Sequence, residues 1–382
     1  MEGRIFQINK VYPEGEKWIA VAIKYPEEIV TNTLSEDTFI VEDRKITKVY
    51  TNDAPRTAEK GKNGCYVILE LSAEDETAPT VFLQDGEMWE KQNSVKVCQK
   101  RDIVLSDQRT AKAWGEPKPA DRILTPTVDA FKQSVYCSST FQKELPYYLY
   151  LPDDYDESEK YPLVLFVPDR SVLGKGNRMV LRQGNGAVVW AEDSEQTDRS
   201  CIVLVPQFEE VPVEKNHVGN DWIEVLAEVI QVVTSEYSVD KNRIYGTGQS
   251  MGCMTCIELG IRYPSLFQAC FLVAGQWNPQ RMLALRDSKL LIMVSQGDER
   301  ALNGMTGCLD YMEGQGTKIS RAIIETETGA KQNEQLMELL SDECNIRFAV
   351  IKSEITAISC HMDTWKTAYS IPVIREWLFA QK

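Results

Sequence analysis

The sequence predicts an α/β domain built on a doubly wound, mostly parallel sheet, preceded by a small all-β sandwich. Three observations predict it. From residue 145 onward, continuous apolar runs alternate with stretches of helical spacing, as strands buried on both faces alternate with crossover helices. Up to about residue 99 the apolar runs are short, alternate with polar residues and are separated by turn residues, the signature of antiparallel strands. Between the two patterns stands Gly115-Glu116-Pro117-Lys118-Pro119, a stiff connector by composition. The 382 residues leave room for two domains.

Each element follows from local pattern. In the first part, residues 18–25, 38–41, 46–50, 65–71 and 80–83 read as strands. Pro13-Glu14-Gly15, Asn52-Asp53, Lys62-Asn63-Gly64 and Asp85-Gly86 supply the turns. This places a β-sandwich over residues 1–105 and a connecting segment over 106–143. The third part, 144–382, opens with a strand at 147–152. Residues 161–167 and 201–205 follow as apolar runs. Trp222, Val225, Leu226, Val229 and Ile230 share one face of a helix over 221–236. Then come a strand at 243–246, a helix over 251–262 ended by Tyr263-Pro264, strands at 269–274 and 289–294, and a last strand at 348–351.

Composition narrows the partners. A formal net charge of -15 repels phosphate backbones and anionic lipid, so no nucleic-acid or membrane partner is expected. No run approaches the length of a membrane span. Met1-Glu2-Gly3-Arg4-Ile5 lacks a basic region followed by an apolar core, so the expected address is the cytoplasm, or outside it if a leader has been removed. Ten cysteines are scattered, and Cys253 and Cys256 form the only CxxC pair. With only His217 and His361 in the chain no zinc site is expected, and the pair reads as two small buried residues.

Gly248-Gln249-Ser250-Met251-Gly252 is a G-x-S-x-G pentapeptide between a predicted strand and a predicted helix. That context suits a nucleophile elbow of the α/β-hydrolase fold, with glycines on either side letting the turn close. A serine hydroxyl needs a base, and in this fold the acid and then the histidine follow the serine. Only His361 does so; His217 precedes Ser250 in a loop-like stretch. His361 is expected in a loop after the last strand. Asp298, at the carboxyl end of the 289–294 strand, is the expected acid, with Glu299, Asp310 and Asp363 as rivals. The oxyanion donors are expected at the backbone N–H of Met251 and, from the loop Pro168-Asp169-Arg170-Ser171, of Arg170. No metal or organic cofactor is required.

These motifs resemble bacterial esterases related to feruloyl esterases and polyhydroxybutyrate depolymerases, often described as predicted peptidases. The likeness covers residues 145–382 and rests on Arg243-Ile244-Tyr245-Gly246-Thr247-Gly248-Gln249-Ser250-Met251-Gly252, on Gly297-Asp298 and on His361 followed by Trp365. Leu34-Ser35-Glu36-Asp37-Thr38-Phe39, residues 46–50 and residues 66–71 resemble the immunoglobulin-like domain that precedes some of them. The resemblance implies a serine carboxylesterase with the triad Ser250, Asp298 and His361 and a small-molecule ester substrate. Self-association through the N-terminal domain stays open. Two departures stand out. Pro168-Asp169 replaces the family's His-Gly, which puts the second oxyanion donor in question. Residues 302–328 look like an insertion, a candidate lid or pocket wall. The first departure motivates an alternative reading, a catalytically impaired hydrolase-like protein acting as a carbohydrate- or protein-binding module.

Overall fold

The computed structural model describes residues 4–30, 34–91, 96–214, 216–325, 329–353 and 358–381, and divides into two compact units, Met1–Asp129 and Ala130–Lys382.

The first unit is all-β. Its larger sheet contains β1 (Arg4–Tyr12), β2 (Gly15–Lys24), β4 (Ile46–Asn52) and β5 (Tyr66–Leu71), and a smaller one contains β3 (Phe39–Val41) and β8 (Lys96–Gln99). Between them come the hairpin β6 (Val81–Gln84) and β7 (Glu87–Glu90), and after them the pair β9 (Ile103–Val104) and β10 (Thr110–Ala111). Alternating residues of the sheets supply the core: Val21 and Ile23 of β2 and Val67 and Leu69 of β5 pack with Phe39, Val41 and Val97 of the smaller sheet.

The segment 106–143, expected as a connector, is divided between the units. β11 (Lys118–Pro119) lies on the edge of the smaller sheet, and β12 (Arg122–Leu124) pairs in parallel with β1. The prolines that suggested a linker sit at or before an edge strand, where a missing N–H costs no ladder bond. Asp121 accepts from the Ile5 N–H at 2.6 Å, and Thr125 Oγ1 donates to the buried Glu16 at 2.8 Å, fastening this stretch to the sandwich. The short helix α1 (Pro126–Asp129) closes the unit.

The second unit is a nine-stranded sheet with helices. Its strands are β13 (Lys132–Ser138), β14 (Lys143–Tyr150), β15 (Tyr161–Val167), β16 (Ile202–Pro206), β17 (Val239–Gln249), β18 (Ala269–Val273), β19 (Leu290–Ser295), β20 (Ile319–Ile324) and β21 (Ile346–Ile351). The order is β13-β14-β16-β15-β17-β18-β19-β21-β20, parallel from β16 to β20 and antiparallel at β13 and β14. The helices are α2 (Met179–Arg182), α3 (Asp193–Asp198), α4 (Asp221–Glu236), α5 (Met251–Arg262), α6 (Pro279–Met282), α7 (Glu299–Gly314), α8 (Ala330–Ser341), α9 (Ile358–Ala368) and α10 (Pro372–Ala380). This is the expected α/β-hydrolase architecture. β15 is flanked by β16 on one side and β17 on the other, so chain order reverses there. A crevice at the carboxyl ends of β15 and β17 is the consequence.

Local chemistry explains the helices that flank this crevice. Asn220 caps α4 by accepting from the Trp222 N–H at 3.1 Å, and the helix buries Trp222, Val225, Leu226, Val229 and Val233. α5 buries Cys253, Cys256 and Ile257 against the sheet, so the CxxC pair is core packing, and burial pushes both thiols up in pKa.

Residues 302–328 hold no lid over their described part. They form most of α7, which buries Met305, Cys308, Leu309 and Met312, and then the edge strand β20, in register with β21 from Ile319 to Ile324. Residues 326–328 lie outside the described residues. The extra length therefore extends the sheet by one crossover.

Candidate active site

The turn from β17 into α5 is tight. Ser250 adopts φ 53° and ψ -113°, a backbone region that costs a side-chain-bearing residue about 1–3 kcal/mol. The Ser250 N–H donates to Val273 O at 2.9 Å, which locks the turn to the end of β18. The glycines on either side answer to close approach. A Cβ at Gly252 would stand 1.9 Å from Val167 O, and one at Gly248 would stand 2.6 Å from the Gly252 carbonyl carbon. No side chain fits at either position, because α5 starts against the end of β15.

His361 Nε2 lies 2.9 Å from Ser250 Oγ, and His361 Nδ1 is hydrogen-bonded to Asp298 Oδ2. Asp298 is buried, and its other oxygen accepts from the Ala301 N–H at 3.2 Å, capping α7. His361 is in the first turn of α9 instead of a loop. Cys360, Thr364 and Ala368 recur at spacing four and are buried, the helical signal in that stretch. Trp365, one turn on, meets the His361 ring edge-on at 5.0 Å and 85° and holds its plane. Of the rival acids, Asp310 pairs with Arg321 at 2.7 Å and Asp363 with Lys366 at 2.9 Å, while Glu299 is exposed at the start of α7.

Pro168-Asp169 lies in the loop after β15. Asp169 has φ -79° and ψ 179°, an ordinary extended conformation that needs no glycine. Both oxygens of its carboxylate are engaged: Oδ1 accepts from the Ser171 N–H at 2.7 Å and Oδ2 from Gln249 Nε2 at 2.7 Å. Asp169 thus caps the turn of Arg170–Val172 and ties it to the elbow. The Met251 N–H opens α5, where first-turn amides have no intrahelical acceptor.

Ser250, His361 and Asp298 face a cavity of about 650 Å³, which Arg170 and Met251 also line. Val211, Val213, Met254 and Ala274 make its apolar wall. The opposite character comes from His217, Gln276 and Arg300, which sequence reasoning left out of the site. His217 makes no contact with Ser250 that would serve as a base; its ring packs tilted, at 45° and 5.5 Å, against Trp277. Burial first, and then the positive charge of Arg300, lower its pKa. No sequence motif marks these three residues, since they come from three separate segments. Among the described residues, no group of three His, Cys, Asp or Glu is placed to hold a metal, and no helix is long and apolar enough to cross a membrane.

The family described as "Esterase Ig-like N-terminal domain" matches residues 4–112, and the family described as "Putative esterase" matches residues 138–327. A solved structure described as a thermostable esterase is 25% identical, with a TM-score of 0.84 over 99% of this chain and 99% of that one. A feruloyl esterase module from Clostridium thermocellum is 15% identical, covering 67% of this chain and 90% of that one at a TM-score of 0.42. An S-formylglutathione hydrolase from Agrobacterium tumefaciens is 14% identical, covering 66% and 96% at 0.38. No curated protein matches the chain.

Proposed function

We propose that this chain, an esterase with an immunoglobulin-like domain ahead of an α/β-hydrolase domain, cleaves small and medium carboxylic esters through a covalent acyl-enzyme on Ser250. The observation that carries the reading is the line Asp298–His361–Ser250, with His361 Nε2 at 2.9 Å from the serine oxygen on a strained elbow.

The chemistry runs as follows. Ser250 Oγ attacks the ester carbonyl carbon while His361 Nε2 takes the hydroxyl proton. Asp298, bonded to Nδ1, keeps Nε2 free to accept and stabilises the imidazolium. The carbonyl oxygen becomes an oxyanion, held by the N–H groups of Met251 and Arg170. The tetrahedral intermediate collapses, the alcohol departs with the proton from His361, and the acyl group stays on Ser250. Water then repeats the sequence with His361 as base, releasing the carboxylic acid and restoring the serine.

The cavity volume suits a drug-sized or smaller ligand. A folded sample is expected to react once per chain with a fluorophosphonate probe and to turn over p-nitrophenyl acetate and butyrate faster than the palmitate. A folded protein that neither labels nor hydrolyses any of them would overturn the assignment.

Asp169 tests the oxyanion side. Asp169→Ala leaves two buried donors, the Ser171 N–H and Gln249 Nε2, without an acceptor, at a cost of about 1–3 kcal/mol. If the turn places the Arg170 N–H, kcat is also expected to fall about tenfold or more while KM moves little, because an oxyanion donor acts in the transition state. A kcat equal to that of wild type, in a variant with a lowered melting temperature, would assign Asp169 to stability alone. The alternative reading as a binding module rests on this aspartate, and both oxygens of its carboxylate accept hydrogen bonds from neighbouring donors.

A further inference from the structure

The polar wall of the cavity carries more than the reaction of a neutral ester requires. Arg300 follows Asp298 by two residues, on the first turn of α7. Its guanidinium is gripped on one side. With the Gln276 amide oriented to satisfy both groups, Gln276 Oε1 accepts from Arg300 Nε at 3.0 Å and Nη2 at 3.2 Å, and the amide nitrogen donates to Arg300 O at 2.8 Å. Two of the five guanidinium N–H bonds are engaged there, and three remain on the end-on fork of Nη1 and Nη2. The clamp depends on close packing: a Cβ at Gly304, one turn further along α7, would stand 2.7 Å from Gln276 Cβ.

Among the described residues, no carboxylate is paired with this fork. Among the described residues, neither Arg300 nor Arg170 has a carboxylate within ion-pair distance, although the chain carries 57 acidic residues against 42 basic ones. Glu214 and Glu299 line the same cavity and, like Arg300, are exposed; both lie outside that distance. His217 lines the same cavity, and the positive charge of Arg300 acts to disfavour a second cation there. Burial and this charge both favour the neutral imidazole, which carries one ring N–H to donate.

We propose that His217 and the Gln276-clamped Arg300 form a subsite for a carboxylate, so that the ester this enzyme prefers carries an anionic group besides the bond that is cut. A planar carboxylate matches the end-on fork of a guanidinium with two parallel hydrogen bonds. Gln276 fixes the fork in advance, so little side-chain freedom is lost on binding. The proposal rests on the reading of Ser250 as nucleophile.

Two matched pairs of esters test it. p-Nitrophenyl glutarate and its methyl ester place the charge on the acyl side; 4-acetoxybenzoate and its methyl ester place it on the alcohol side. For at least one pair, the ratio of kcat/KM between charged and neutral ester is expected to fall about tenfold or more in Arg300→Gln, through a rise in KM for the charged ester. Arg300→Lys is expected to restore part of the ratio, and added salt to lower it in the wild type. Equal ratios in wild type and Arg300→Gln for both pairs overturn the subsite. If folded wild type hydrolyses none of the four, the reading of Ser250 fails, and calorimetry with glutarate then decides the subsite alone. Binding that weakens about tenfold in Arg300→Gln supports it, and no binding to wild type overturns it.

Discussion

Ser250→Ala is expected to lower kcat on p-nitrophenyl butyrate on the order of 10⁶-fold, the size seen when a serine hydrolase loses its nucleophile or its base. His361→Ala is expected to cost about as much, and the double variant no more than either one alone. The reason lies in how the groups are linked. The serine is a weak nucleophile unless His361 Nε2, at 2.9 Å, takes its proton, and the histidine's later task, handing that proton to the departing alcohol, depends on the same transfer. Once one partner is gone, the other has nothing left to contribute. Residual hydrolysis would come from the oxyanion donors and from substrate positioning. The measurement is kcat for the two single variants and the double variant, with circular dichroism to show that each is folded. Losses that multiply in the double variant would mean that the two residues act independently, contrary to the acyl-enzyme reading.

The largest expected effect on stability lies elsewhere. Glu258 on α5 has a fully buried side chain. Its Oε1 accepts from Arg262 Nε at 2.9 Å and from Arg281 Nη2 at 2.6 Å. Arg262 in turn reaches Glu224 of α4 at 2.7 Å and the Gly219 carbonyl. One carboxylate thus joins α4, α5, α6 and the loop that carries His217. Removing it leaves two guanidinium groups facing a space that held their counter-charge. Glu258→Ala is expected to cost about 3–5 kcal/mol, because Arg281 then loses its counter-charge and Arg262 keeps only Glu224. In a unit of this size that is a fall in melting temperature of about 10 °C or more. A loss below about 1 kcal/mol would mean that water enters and solvates the arginines.

The sequence made some of this legible and hid the rest for physical reasons. α4 and α5 could be bounded to the residue because apolar spacing runs along both, Asn220 caps the first and Pro264 follows the second. β13 and β20 escaped notice because each lies at an edge of the sheet. Val135 and Ile323 are exposed there, so burial imposes no continuous apolar run. The strands between residues 110 and 124 are two or three residues long, too short for any period to register. Ser250, Asp298 and His361 stood out because an elbow needs its glycines and the fold dictates the order of the other two. The local surroundings of His361 and Asp169 did not, since a helical first turn and a carboxylate's hydrogen bonds depend on neighbours distant in sequence. The wall of His217, Gln276 and Arg300 is the extreme case: three segments meet in space without any shared spacing along the chain.

Asp298 has a double attachment, one oxygen on His361 and the other on the Ala301 N–H at the start of α7. Helix caps are ordinarily interchangeable, and Ser, Thr, Asn and Asp replace one another as sequences drift. At this position the drift is confined. Asparagine would keep the cap and surrender the negative charge beside the imidazole, and glutamate would keep the charge and place it one carbon too far for the cap. The site where the helix begins and the site where the imidazole is steadied have become one inheritable unit, and only aspartate satisfies both halves of it.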